Sequence, residues 1–237
     1  MQKLWDISPP VNARSPVFPG DTAYTQSWVA SIGPGCPVNV SAITLSPHVG
    51  AHADAPLHYD PDGQAIGEVE LDAFIGPCRV IHAIGCGPLV EWRHIEHALS
   101  DPPPGRSQGG SAPTECSDPR SGGAWGLGTV PERVLVRVYQ QMPRATFDNA
   151  LPAFAPETVE RLADLGVKLI GIDSASIDPA DSKPLLSHQV IRQRGLRVLE
   201  NLLLDNVPEG DYELIALPLK LTTADASPVR AILRTLP

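Results

Sequence analysis

His48-Val-Gly-Ala-His52-Ala-Asp54-Ala-Pro56-Leu-His58 packs three of the chain's seven histidines into eleven residues, with one aspartate among them. Imidazole and carboxylate are the donors that borderline divalent metals prefer. The spacing suits neither regular element. On a helix, His48 and His52 at i and i+4 share a face, but Asp54 points roughly the opposite way. On a straight strand positions 48, 52, 54 and 58 share a face, yet His48 and Asp54 stand about 20 Å apart at roughly 3.3 Å per residue. A curled loop can gather them. Pro47, Gly50 and Pro56 are suited to shape one, because proline fixes φ and glycine permits unusual backbone angles. The pattern therefore predicts a shaped, metal-ligating loop.

The flanking sequence predicts the scaffold. Residues 4–7 form a short apolar stretch ended by Ser8-Pro9-Pro10, and residues 22–32 and 38–45 read as strands joined at Gly33-Pro34-Gly35. A strand is expected over 78–84. A helix is expected over 91–99, with Trp92, Ile95 and Leu99 at i, i+3 and i+7. Residues 101–131 hold six prolines and seven glycines and no apolar period, so they read as a Pro/Gly-rich insertion that carries no chemistry and is partly mobile. Beyond it, a strand over 133–139 is followed by a helix over 155–165, with Pro156 in its first turn and Gly166 as its cap. A buried strand over 167–172, a short helix over 189–194 stopped near Gly195, and strands over 212–221 and 229–233 complete the reading. Strands first, then strands alternating with helices, predict one α/β domain with a mixed sheet over 1–237.

Composition narrows the function. The chain has 237 residues, a formal charge of −9, 42% hydrophobic and 19% charged residues, which excludes a disordered chain. No apolar run approaches the roughly 18 residues that span a bilayer. Residues 1–7 lack a basic-then-apolar signal pattern, so a cytoplasmic location is expected. The acidic balance argues against nucleic acid or an anionic membrane as partner, since both demand basic patches. Cys36, Cys78, Cys86 and Cys116 form no C-x-x-C pair, which argues against a zinc ribbon or a dithiol redox site and for reduced thiols.

The eleven-residue stretch resembles the H-x-G-T-H-x-D-x-P-x-H signature of the cyclase-like metal hydrolases, with Ala51 where threonine is usual. Within them the chain is similar to the bacterial kynurenine formamidases, or arylformamidases. That likeness runs through L-W-D-I-S-P-P, F-P-G-D, G-I-D-S-A-S-I-D-P, Y-E-L-I-A-L-P-L-K and S-P-V-R-A-I-L-R. It implies a swivelling β/β/α domain, a homodimer, and hydrolysis of N-formyl-L-kynurenine to L-kynurenine and formate in tryptophan breakdown. It also implies two divalent ions. His48, His52 and Asp54 would hold one, and Asp54, His188 and Glu200 the other, with Asp54 bridging. Zinc is expected, and manganese accepts the same donors. His188 and Glu200 are twelve residues apart, about 18 Å on one continuous helix, so sharing an ion requires a reversal, for which Gly195 is well placed.

The same likeness makes His58 the catalytic acid/base, because an aryl amine leaves best with a proton and imidazole titrates near neutral pH. A role for His58 as a further ligand, or as a partner of one, stays open. Phe18 stands where these formamidases commonly carry a pocket-lining tryptophan, so it is expected to stack on the substrate ring, with specificity altered. His82 is expected as a buried, hydrogen-bonded strand residue, and His94 and His97 on a solvated helix face. Asp173, Ser176 and Asp178 follow a buried strand and receive no role. The alternatives are a cyclase-type hydrolase of another aryl or cyclic amide, such as an isatin-type ring, and a non-catalytic metal-binding homologue.

Overall fold

The structure is a computed structural model and describes residues 2–99 and 130–236. The expected insertion falls, but for its last two residues, outside the described residues, as does Cys116. The chain opens with β1 (Leu4–Asp6) and then a ribbon of β2 (Thr25–Ala30) and β3 (Val40–Thr44). The histidine-rich stretch supplies β4 (His52–Asp54) and the single turn α1 (Pro56–Tyr59). Next come β5 (Ile75–His82), β6 (Leu89–Val90) and α2 (Trp92–Ile95), then β7 (Arg133–Arg137), β8 (Ala153–Phe154), α3 (Pro156–Asp164) and β9 (Leu169–Ile172). The remainder is α4 (Leu186–Arg194), β10 (Arg197–Glu200), β11 (Gly210–Ile215), β12 (Ala226–Pro228) and β13 (Ile232–Thr235).

Nine of these strands make one mixed sheet in the order β1-β13-β11-β5-β7-β9-β10-β4-β12. Its centre, β5-β7-β9-β10, is parallel, and the flanking pairs are antiparallel. The parallel strands β7 and β9 are buried throughout, which is why Val134-Leu-Val136 and Leu169-Ile-Gly-Ile172 read as nearly unbroken apolar runs. Alternation along each strand feeds two cores. Leu135, Leu169 and Leu199 face one with Phe74 and Leu214, while Val136, Ile170 and Val198 face the other with Val159, Leu162 and Ile191 of α3 and α4. Gly171 has no room for a side chain, since a Cβ there would stand 2.5 Å from Leu135 and 2.9 Å from Leu202.

The α/β class and mixed sheet agree with the sequence reading, and several elements differ from it. The helix expected over 91–99 is one α-turn followed by a 3-10 turn, Glu96–Ala98. His94 is partly exposed, and its Nδ1 also accepts the Glu91 N–H at 3.0 Å, in a reciprocal capping box. The strand expected over 212–221 stops at Ile215, shortly before Pro218, which cannot donate to a ladder. The strand expected over 229–233 is β13, shifted to Ile232–Thr235, and β12 before it was not expected. Helix α4 begins three residues earlier than expected, and β4 and β10 were not expected as strands. The free thiols Cys36, Cys78 and Cys86 agree with the reduced reading. No helix among the described residues is long and apolar enough to cross a membrane.

The reversal between α4 and β10 is made at Gly195, whose φ is +68° and whose N–H bonds to Ile191 O. An L-residue pays about 1 kcal/mol in that region. Gly195→Ala should lower the unfolding free energy by about that amount in a denaturant titration; an unchanged midpoint would show that the turn relaxes without strain.

Candidate metal centre

Strand β4 pairs antiparallel with β10, which sets Glu200 opposite His52 and Val198 opposite Asp54. Directly opposed residues share a face, and i, i+2 residues do so along one strand. His52, Asp54 and Glu200 therefore project to the side on which α4 packs, while Ala53 and Leu199 enter the other core. His52 Nε2 lies 3.4 Å from Asp54 Oδ1 and 3.3 Å from Glu200 Oε2. Helix α4 delivers His188, with Nε2 3.4 Å from Asp54 Oδ2 and 3.6 Å from Glu200 Oε1. His48, from the loop before β4, places Nδ1 3.1 Å from Asp54 Oδ1. All five expected ligands thus meet around Asp54, although the segment that carries them is loop, strand and helix turn and not one curled loop.

Three of the candidate donors are aimed by a further bond. His52 Nδ1 bonds to Gly50 O at 2.9 Å, leaving Nε2 for the centre. Gly50 itself has φ +74°, and a Cβ there would stand 2.6 Å from Val11. His188 Nδ1 bonds to Asp178 Oδ2 at 2.7 Å, and Asp178 also accepts the N–H groups of Ser187 and His188. Glu200 Oε1 accepts the Ile177 N–H at 2.8 Å. Such outer bonds fix the tautomer and direction of a metal ligand.

The innermost atoms have no such bond. His52 Nε2, both oxygens of Asp54 and His188 Nε2 are buried without a hydrogen-bond partner among the described residues. Orphaned buried polar atoms are costly and rare, and four facing one another fit a divalent cation. The charge balance agrees. Burial opposes a charge on His48, yet the carboxylates of Asp225 and Asp54 outweigh it and push the imidazole up to about 10. Asp178 and Asp54 do the same for His188, also to about 10. Burial would raise Asp54, but His188 and His48 hold it well below the usual carboxylate range. The site thus attracts positive charge, which a metal supplies in place of protons.

Two triads converge with donor atoms within 4.8 Å of one another, His48–Asp54–His58 and His52–Asp54–Glu200. Asp54 is common to both, as expected of a bridge, but His58 comes within reach of the same space.

The Cyclase family model matches residues 5–105 of the chain. The kynurenine formamidase of Paracidovorax citrulli is 68% identical over 232 residues, covering 98% of this chain and 96% of that protein. The kynurenine formamidase of Delftia acidovorans is 68% identical over 99% of both chains, and that of Bordetella pertussis 56% identical over 100% of both. The chain belongs to the kynurenine formamidase family. Solved structures share the fold at low identity. A potential metal-dependent hydrolase with cyclase activity superposes with a TM-score of 0.77 at 22% identity over 100% of both chains. An isatin hydrolase bound to thioisatinate gives 0.73 at 18% over 100% of this chain and 93% of that one.

In this family member a cavity of about 300 Å³ opens beside the centre, with His48, His58, His188 and Glu200 on its wall. Phe18 is 45% exposed and packs edge-on against Phe147 with ring centroids 5.2 Å apart, so it is a cavity wall and not a core residue. Ser176 also lines the cavity. His82 is half-buried with Nε2 on Val207 O, and His97 pairs with Glu209, both outside the cluster. Two residues gain roles that sequence reasoning did not assign. Asp178 aims His188. Asp225 accepts from His48 Nε2 at 3.0 Å and from His58 Nδ1 at 3.2 Å. Asp225 lies 177 positions from His48, and nothing in Thr-Ala-Asp-Ala-Ser marks it beyond an acidic residue before a short strand.

Asp173 lines the same cavity and is fully buried. Burial pushes its carboxyl from an ordinary value near 3.8 up to about 7, against the pull of the Val138 and Tyr139 N–H groups. Between those values the folded chain holds the proton and the unfolded chain has lost it, so stability from this group falls as pH rises from about 4 to about 7. Asp173→Asn should flatten the pH dependence of the unfolding free energy across that window. A slope equal to that of the parent protein would assign the proton elsewhere.

Proposed function

We propose that this chain hydrolyses N-formyl-L-kynurenine to L-kynurenine and formate, with two divalent ions, zinc by preference, held by His48, His52, Asp54, His188 and Glu200. The observation that carries the reading is the set of four orphaned buried donors beside an aromatic-walled cavity, in a chain 68% identical to kynurenine formamidases. A cavity of about 300 Å³ is at the lower end for a small-molecule site and suits a single substituted ring. Bound ions would supply an activated water and polarise the formyl oxygen.

The chain's own residues do the rest. Phe18 and Phe147 offer ring faces and edges to the aryl group. His58 sits on the cavity wall with Nδ1 engaged by Asp225, and its Nε2 has no hydrogen-bond partner among the described residues. That nitrogen is free to accept a proton as water adds and to return it to the aryl amine as the C–N bond breaks.

With zinc loaded, the purified protein should release kynurenine from N-formylkynurenine, with kcat/KM above that for isatin. His58→Ala should lower kcat by about 10²–10⁴-fold with metal content unchanged, the usual range for a lost acid/base. No turnover above that variant's background would remove the reading, and parallel loss of metal would make His58 a ligand instead.

The homodimer expected for the family is supported by the β2–β3 ribbon. Both its faces are exposed and apolar, with Trp28 61% and Val29 70% exposed, and a lone two-stranded ribbon is marginal in water. Its base is tied to the metal loop by the bond from Ser46 N–H to Thr22 O, so a second copy covering the ribbon would stand beside the centre. In sedimentation the parent protein should run as a dimer and a Trp28→Glu variant as a monomer. A monomeric parent would overturn this part of the proposal.

A further inference from the structure

One oxygen of Asp225 serves two histidines with different tasks. Oδ2 stands 3.0 Å from His48 Nε2 and 3.2 Å from His58 Nδ1, and the two rings lie 4.4 Å apart. A carboxylate only accepts, so each ring nitrogen facing it carries the proton. For His48 this leaves Nδ1, the nitrogen that faces Asp54, as the one that would take a metal in place of a proton. For His58 it leaves Nε2 as the basic nitrogen.

The main chain gives Asp225 little freedom to do otherwise. Its carbonyl accepts the Ala55 N–H at 2.8 Å, one residue past Asp54. Ala224 on one side accepts the Ile66 N–H at 2.9 Å, and Ala226 on the other begins β12 in register with Asp54. Asp225 and Ala226 are thus pinned directly to the segment that carries the candidate ligands, and Ala224 to the turn beyond it. The carboxylate is partly exposed, with its Oδ2 turned to the two rings.

We infer that Asp225 is a positioning residue for catalysis, forming with His58 an Asp–His pair that presents His58 Nε2 to the substrate's leaving nitrogen, while the same oxygen orients the ligand His48. This rests on the formamidase reading above. In the step concerned, water adds to the formyl carbon and gives one proton to His58 Nε2. The C–N bond then breaks with its electron pair on nitrogen, and His58 returns that proton to nitrogen, so the free amine leaves with formic acid, which gives its remaining proton to solvent as formate. Asp225 gains no proton in either direction; it keeps the ring turned and offsets the imidazolium charge between the two transfers.

The test compares two formanilides on the zinc-loaded protein. One is unsubstituted, with a poor leaving amine that needs the proton. The other carries a para-nitro group, whose amine leaves with little help. Asp225→Asn keeps the side chain's size and removes its charge. It should lower kcat on formanilide by about 10²-fold with KM nearly unchanged, and lower kcat on the nitro compound markedly less. Zinc content, measured on the same preparations, should match the parent protein. Equal losses on both substrates, or a loss that tracks missing zinc, would overturn the pair and leave Asp225 a purely structural partner of His48. Full activity of Asp225→Asn would also overturn it while the formamidase reading stands. A parent protein inactive on both formanilides and on formylkynurenine would instead remove the reading on which the pair rests.

Discussion

Asp54 is a carboxylate enclosed on every side, with neither oxygen hydrogen-bonded and three imidazole nitrogens within 3.4 Å. Burying such a charge alone costs several kcal/mol, and the cost is met only by opposite charge placed at close range. Much of the architecture serves that requirement. Strand β4 holds Asp54 rigidly between β10 and β12, both ladders being antiparallel, so its Cβ direction is fixed by the sheet and not by a mobile loop. Helix α4 lies across that face and brings His188 to the oxygen that His48 and His52 do not occupy.

A second layer of acceptors then decides which nitrogen of each histidine faces inward. Gly50 O does this for His52, Asp178 for His188 and Asp225 for His48. Two of the three acceptors are carboxylates, so the outer layer also contributes to the negative field that keeps His48 and His188 well above their ordinary values. The cavity wall is arranged on a different principle. The cavity's aromatic wall, Phe18 against Phe147, is built from segments outside the sheet, so ring size there can change without disturbing the ligand geometry.

Much of this was legible in the sequence, and the misses have a common cause. The donor-rich loop was readable because four metal-type donors stand within eleven residues, whereas His188 and Glu200 stood out only through the family resemblance. The central strands β7 and β9 were readable because burial on both faces leaves an apolar run. β4 and β10 were hidden because their inward positions hold His52, Asp54 and Glu200, which period-based reading scores as polar and loop-like. Asp225 escaped notice because no local pattern marks a carboxylate whose partners lie 167 and 177 residues away.

The sequence by itself determined the donor-rich loop of residues 48–58, the α/β class and the segments able to bend, since residue chemistry, periodicity and Gly or Pro placement are local properties. Only the tertiary structure decided how those donors meet. Register between β4 and β10 sets Glu200 against His52. The packing of α4 turns His188 toward the free oxygen of Asp54, and the fixed backbone before β12 brings one oxygen of Asp225 to two rings. These are relations between side chains on strands and helices far apart in the chain, and no spacing along the chain encodes the angle at which they converge.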